Sequence, residues 1–262
     1  MSDHAAINDK AQNIKESATN LLAIDTATDI LSVALSLRDE TWYFEADAGT
    51  RHSQLLMGAI DHLMNNAGLE PKDLQAVCCM AGPGSFTGLR IGFACAKGLS
   101  LSLDIPFFTV PTLDCMASRF SAWPGLVLPA IDAKKSSWFC ALYMGGKRLC
   151  PDMDATASSI AQTINGSNTD MHDSLNWPTL ITGHDAERLY HVLVETPGLS
   201  QKLSLDSGCR GGYAKELAAI SSRAIAKKIK MGDNNPINFS LGPDYIRKSD
   251  AELELEKRQE NV

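Results

Sequence analysis

The sequence predicts an α/β fold in two duplicated lobes, each built on a mixed sheet, and three observations carry that prediction. Residues 21–37 read as an apolar strand ending in an acid, a short polar turn and an alternating return strand. Strand-length apolar runs then alternate with segments of helical period through most of the 262 residues. Finally, Ala23, Ile24, Asp25, Ala34 and Leu35 recur as Ala130, Ile131, Asp132, Ala141 and Leu142, each displaced by 107 residues. Strand, acid, turn and strand thus come in the same order in both halves, the mark of a repeated unit.

Taken in order, LLAID and ILSVALSL form the opening hairpin around the turn at Thr26–Asp29, and Trp42–Ala46 supplies a third antiparallel strand. From His52 the helical period sets in. Leu56, Ala59, Ile60, Leu63, Met64 and Ala67 share one face, widened by Leu55 and Met57, and Gly68 stops the helix just before Pro71. The run Leu74–Met80 is a strand that leads into a glycine-rich turn, where Gly82, Gly84 and Gly88 give GxGxxxG. In the helix that follows, Gly88, Gly92, Ala96 and Ser100 recur every fourth residue beside an apolar stripe of Ile91, Cys95, Leu99 and Leu103. Ile105–Val110 is a further strand, and Thr112 has the chemistry of an N-cap for the next helix.

The pattern restarts around Trp123–Gly125. A Gly145-Gly146 turn follows the second hairpin, and Pro151–Trp177 is a polar stretch. Strand Leu180–Thr182, helix Asp185–Val194 and the long amphipathic helix Tyr213–Ile229 complete the second half. The expected division is a disordered extension at 1–20, a first lobe at 21–122, a second at 123–249 and a charged tail at 250–262.

At 44% hydrophobic and 21% charged the composition is that of a globular protein with a sizeable core. The net charge of −7 argues against a chain that grips nucleic-acid phosphates by itself. Seven cysteines without a CxxC fit buried reduced thiols rather than a disulfide framework or zinc spacing. The first twenty residues lack a signal-peptide core, and the apolar region 91–110 is interrupted by Lys97, Asp104 and Pro106. No membrane association and a cytoplasmic location are expected.

The glycine turn fails the P-loop template, because Leu89 and Arg90 stand where Lys and Ser/Thr are needed. It misses the dinucleotide fingerprint by one position, and Pro83 excludes a GxSxG elbow. Phosphate contact and plain packing both remain open for Asp25, Thr26, Gly82, Gly84 and Ser85. Asp25 and Asp132 end matching strands, as paired carboxylates at a metal–nucleotide site would, or they cap their hairpins. Lys134 and Lys135 stand at the second turn. His52 has no histidine at i+4, and no HxxxH exists in the chain, so no metal site is expected. The stripes on the first two helices are either core against a sheet or, in part, an interface formed by His52, Leu55, Leu56, Ala59, Ile60, Leu63, Gly88, Gly92 and Ala96.

LLAIDTATDILSVAL, RHSQLL, GPGSFTGLRIGFACAKGLS, IPFFTVPTLDCMA, IDAKKSSWFCALY and PDYIRKSDAE, in this order, resemble the TsaB (YeaZ) family over about residues 21–252. The resemblance implies the two-lobed actin-like (ribonuclease H-like) fold shared with sugar kinases and heat-shock ATPases. It implies a relative of TsaD, the subunit that transfers threonylcarbamoyl to the tRNA adenosine beside the anticodon. TsaD-like chains carry a metal-binding HxxxH where Thr112 and Met116 stand here, and neither side chain can replace imidazole. A non-catalytic scaffold without independent activity is therefore implied, with TsaD and TsaE as partners and a homodimer as the resting form. Pairing is implied through the helices around His52–Met64 and Gly88–Leu101. Any ATP or ADP contact would be weak and shared with a partner, and tRNA would be met only indirectly. The alternative is a small-molecule kinase or a peptidase acting on its own.

Overall fold

The computed structural model describes residues 20–38, 40–166, 177–196, 199, 202–208, 210–231, 242–244 and 246. The expected N-terminal extension and charged tail lie outside the described residues, apart from Asn20. The chain divides into two compact units, which are described separately.

The first unit is built on a five-stranded sheet of β1 (Leu21–Asp25), β2 (Ile30–Ser36), β3 (Thr41–Asp47), β4 (Ala76–Gly82) and β5 (Phe107–Pro111) in the order β3-β2-β1-β4-β5. The hairpin strands pair antiparallel, whereas β4 and β5 join parallel, each reached through a helix. Those helices are α1 (His52–Asn66) and α2 (Phe86–Leu103), followed by the short α3 (Thr112–Ser118). Gly68, at φ +68°, ends α1 as its sequence position requires, and Asp104 closes α2 in the left-handed region. The inward faces of α1 and α2 bury Leu56, Ile60, Leu63, Phe93 and Ala96 against Leu22, Ile24, Val33, Val77 and Cys79.

The second unit repeats this plan. Strands β6 (Leu126–Asp132), β7 (Ser137–Cys140), β10 (Met153–Thr156), β11 (Thr179–Thr182) and β12 (Leu203–Leu205) lie in the order β10-β7-β6-β11-β12, which is that of β3-β2-β1-β4-β5. The small hairpin β8 (Tyr143–Met144) and β9 (Lys147–Arg148) joins the sheet beside β6. Helices α4 (Ala157–Ile164) and α5 (Ala186–Val194) bury Ile160, Ile164, Leu189 and Leu193 on Leu126, Leu128, Ala130 and Trp138.

Two features differ from the sequence expectation. The polar stretch after Pro151 holds β10 and α4, the latter capped by the Thr156 hydroxyl, which accepts the Ser159 N–H. The long helix α6 (Ala214–Met231), expected in the second lobe, packs on β1 and β2 of the first sheet. The first unit accordingly takes residues up to Cys115 and resumes at Gly211, with Met116–Arg210 in the second. No described helix is long and apolar enough to cross a membrane.

Candidate functional site

Within the first unit the structure brings Asp25, Thr26, Gly82, Gly84 and Ser85 together where the β1–β2 turn meets the start of α2. The side chains of Asp25, Thr26 and Ser85 hydrogen-bond to neighbouring groups of the same chain. The Ser85 N–H donates to the Ala27 carbonyl at 2.7 Å, and the Ser85 hydroxyl caps α2 by accepting the Gly88 N–H at 3.2 Å. The Thr26 hydroxyl donates to the Gly88 carbonyl at 2.8 Å. The glycines are what allow this approach. A Cβ on Gly84 would lie 2.5 Å from the Ala27 oxygen, on Gly88 2.1 Å from the Thr26 oxygen, and on Gly92 2.5 Å from the Thr26 hydroxyl. The spacing seen in sequence thus serves contact between hairpin and helix. Gly82, at φ +118°, makes the turn out of β4.

Asp25 is buried and its acceptors are occupied by its own chain. Oδ1 takes the Ala27 N–H at 3.0 Å; Oδ2 takes the Ser32 hydroxyl at 3.3 Å and the Tyr213 N–H at 2.9 Å. Removal from water raises its pKa, against the pull of those hydrogen bonds and of His52 nearby. Ser32 in turn accepts the Ala214 N–H at 3.1 Å, and Glu45 accepts the Gly212 N–H at 2.7 Å and the Tyr43 hydroxyl. Asp25 pairs in register with Ser32, and Ser32 with Glu45. One row across three strands therefore receives three consecutive N–H groups that lead into α6, groups a helix start leaves without internal partners. Sequence reasoning missed Ser32, Glu45 and Gly212, since no local pattern announces a cap supplied from 167 to 188 residues away.

Asp132, the counterpart in the second unit, has a different environment. Leu126, Leu128 and Ala130 face α4 and α5, so Asp132 shares their side of the sheet. Its carboxylate accepts the Lys134 N–H at 2.8 Å and lies 3.1 Å from the Lys134 ammonium and 2.8 Å from Arg188. Burial pushes its pKa up, but the Lys134 hydrogen bonds and the two cations outweigh this and hold it below the usual value. In the first unit Leu22 and Ile24 face α1 and α2, and Asp25 points to the opposite face, toward α6. The cause is a one-residue slip. Ile24 pairs with Val33, whereas Cys140, which is 107 residues beyond Val33, pairs with Ala130 rather than Ile131. The two acids are therefore not a matched pair in their sheets. Lys134, Lys135 and Ser136 all have positive φ in the tight turn after Asp132.

The expected interface residues are placed by burial. His52, Leu56, Ala59, Ile60, Leu63, Gly88, Gly92 and Ala96 are all buried, and Leu55 packs half-buried against the same core. This corrects the interface expectation: the glycine–alanine row faces the hairpin, because the approach of Thr26 needs its missing side chains. What α1 and α2 leave outside is a different set. Met57 is 49% exposed and Leu101 66%, with Gly58, Ala94 and Gly98 exposed near them in sequence. Thr112 and Met116 are fully buried, and among the described residues the Thr112 hydroxyl has no hydrogen-bond partner, so no cap of α3 by Thr112 is seen there. Among the described residues no group of three or more His, Cys, Asp or Glu side chains could hold a metal ion.

Comparison with known proteins places these observations in a family. A family model described as TsaD, tRNA N6-adenosine threonylcarbamoyltransferase, matches residues 46–178. The tRNA threonylcarbamoyladenosine biosynthesis protein TsaB of Bacillus subtilis is 30% identical over 238 residues, covering 88% of this chain and 96% of that protein. The chain belongs to the TsaB family. TsaB of Escherichia coli is 38% identical over 128 residues, covering 47% of this chain and 54% of its own. Among solved structures, YeaZ from Pseudomonas aeruginosa superposes with a TM-score of 0.61 at 21% identity, covering 87% of this chain and all of that one. The TsaB-family chain thus shares the mixed α/β fold of YeaZ. It is a member of a tRNA threonylcarbamoyladenosine biosynthesis family and a relative of TsaD. The glycine-turn segment GPGSFTGLRIG, which carried much of the resemblance, serves in this TsaB-family chain to seat α2 on the β1–β2 turn.

Proposed function

We propose that the chain is a non-catalytic scaffold and activator that pairs with TsaD, with TsaE as a further partner, in threonylcarbamoylation of the tRNA adenosine next to the anticodon. The observation that carries this reading is the internal use of the polar side chains at the glycine turn and of Asp25. Asp25, Thr26 and Ser85 bond to their own chain, and Thr112 and Met116 stand buried where TsaD-like chains have their histidine pair. Family membership supplies the pathway.

The pairing surface is the outside of α1 and α2: Met57, Gly58, Ala94, Gly98 and Leu101. A Cβ on Gly58 or Gly98 would meet nothing within 4 Å, so a facing helix can bring its side chains down to the backbone there. The same surface serves the homodimer, which gives way to TsaD. With a net charge of −7 the chain leaves tRNA to its partners. It acts in the cytoplasm, and any ATP or ADP contact is weak and completed by a partner.

The test is reconstitution. TsaD, TsaE and threonylcarbamoyl-adenylate are mixed with unmodified tRNA, with and without this chain. The modified adenosine is expected to form several-fold faster in its presence, and no dependence on the chain overturns the proposal. An independent kinase would instead show tight ATP binding lost in Asp25→Asn, which calorimetry on the chain alone decides.

A further inference from the structure

The seam between α1 and α2 holds a sulfur pair. The Cys95 thiol donates to the Met57 thioether at 3.6 Å, and Met57 lies 49% exposed on the outer face. Among the residues of this unit whose burial is described, Met64 and Met80 are buried, as are Cys78, Cys79 and Cys115.

We propose that Met57 is an oxidation-sensitive residue of the pairing surface, converted by hydroperoxides to the sulfoxide, which weakens association with the partner. The inference rests on the pairing surface assigned above. In the reaction the thioether sulfur attacks the terminal peroxide oxygen. One S–O bond forms and the O–O bond breaks; the sulfur is oxidised by two electrons, the peroxide is reduced, and water or an alcohol leaves.

Two physical arguments select Met57 over its neighbour. Thiol oxidation needs the thiolate, and burial pushes the Cys95 thiol up to about 11, so it stays protonated at neutral pH. Thioether oxidation needs no deprotonation and depends on access, which Met57 has in the unpaired chain, before the homodimer or the TsaD complex covers it. The product replaces a polarisable apolar group by a strong dipole. Gly58 and Gly98 offer that dipole no side chain of their own, and the facing helix would have to bury the S=O group or withdraw.

The experiment treats the full chain with hydrogen peroxide, maps the oxidised residues by mass spectrometry, and measures its affinity for TsaD by sedimentation. Met57→Leu runs in parallel. The expected result is oxygen incorporation at Met57 ahead of Met64, Met80 and Met116, with affinity weakened about tenfold. Methionine sulfoxide reductase should restore it, and the affinity of Met57→Leu, whatever its starting value, should be the same before and after peroxide. Unchanged affinity of the Met57 sulfoxide form, or equal weakening of Met57→Leu, overturns the inference while leaving the pairing reading intact. If the reduced chain does not bind TsaD at all, the pairing surface is wrong and the inference falls with it.

Discussion

The Asp25 carboxylate accepts the N–H of Tyr213 at 2.9 Å across 188 residues of sequence, tying the first strand to the last helix. The bond belongs to the row Asp25–Ser32–Glu45, whose three side chains meet Tyr213, Ala214 and Gly212 in turn. A residue that looked like a ligand for metal or phosphate thus acts as a helix cap. A carboxyl group suits this position because its two oxygens can accept several N–H and O–H bonds at once.

The tightness of this junction can be tested at Gly212. An added Cβ there would lie 2.2 Å from the Ser32 hydroxyl and 2.3 Å from the Ser32 Cβ, and the latter is fixed to the strand backbone and cannot rotate away. Gly212→Ala is expected to destabilise the protein by about 1–3 kcal/mol through overpacking. Urea unfolding followed by circular dichroism measures it, and hydrogen exchange should locate the loss at the start of α6. Wild-type stability in this variant would mean the close approach is not rigid.

Burial separates two classes of substitution on the first helices. Leu56→Asp places a carboxylate in a position 2% exposed among Leu22, Ile24 and Val33, and is expected to cost more than about 3 kcal/mol. Gly92→Arg fails for a related reason, since even a methyl group would meet Thr26. Soluble, folded Leu56→Asp protein with an unchanged melting temperature would show that this face is not core.

Asp132 predicts a pH dependence of defined sign. Its folded-state pKa is lowered by the Lys134 hydrogen bonds, Lys134 and Arg188, working against burial. Its contribution is therefore full above the unfolded value of about 3.9 and is lost as pH falls through the lower folded value. Asp132→Asn should be less stable than wild type near neutrality, and the difference should shrink on acidification in that window. Thermal melts of both proteins from neutral pH down to pH 3 check it; a gap that widens with acid contradicts the assignment. Asp25 has the opposite sign. Its raised value means that its contribution is present below the unfolded value and lost as pH rises through the folded one.

Strand and helix order was legible because burial in an α/β unit imposes periods that survive in the sequence, as in LLAID, ILSVALS and the His52–Asn66 helix. The 107-residue repeat was legible too, and it corresponds to one strand order used twice. Three things were not. A stripe such as Gly88, Gly92 and Ala96 marks close approach without saying to what, and the hairpin turn rather than a partner occupies it. The one-residue slip of β6 against β7 leaves the identities in place while turning Asp132 to the other face of its sheet. The helix α6 carries no local mark of which sheet it covers, since amphipathicity reports burial and not its address.

The last prediction concerns the outer face. Gly98 is exposed on α2, and a Cβ added there meets nothing within 4 Å, so Gly98→Arg, with its side chain leading into solvent, should leave the melting temperature within a few degrees of wild type. In complex formation the same substitution sets a long cation against the facing helix of the partner, where close backbone approach is required. Pairing with TsaD should weaken at least about a hundredfold, and with it the stimulation of tRNA modification. Sedimentation of the mixture and the reconstituted modification assay measure the two effects. A folded Gly98→Arg chain that binds and activates TsaD as wild type does would move the pairing surface away from α1 and α2 altogether.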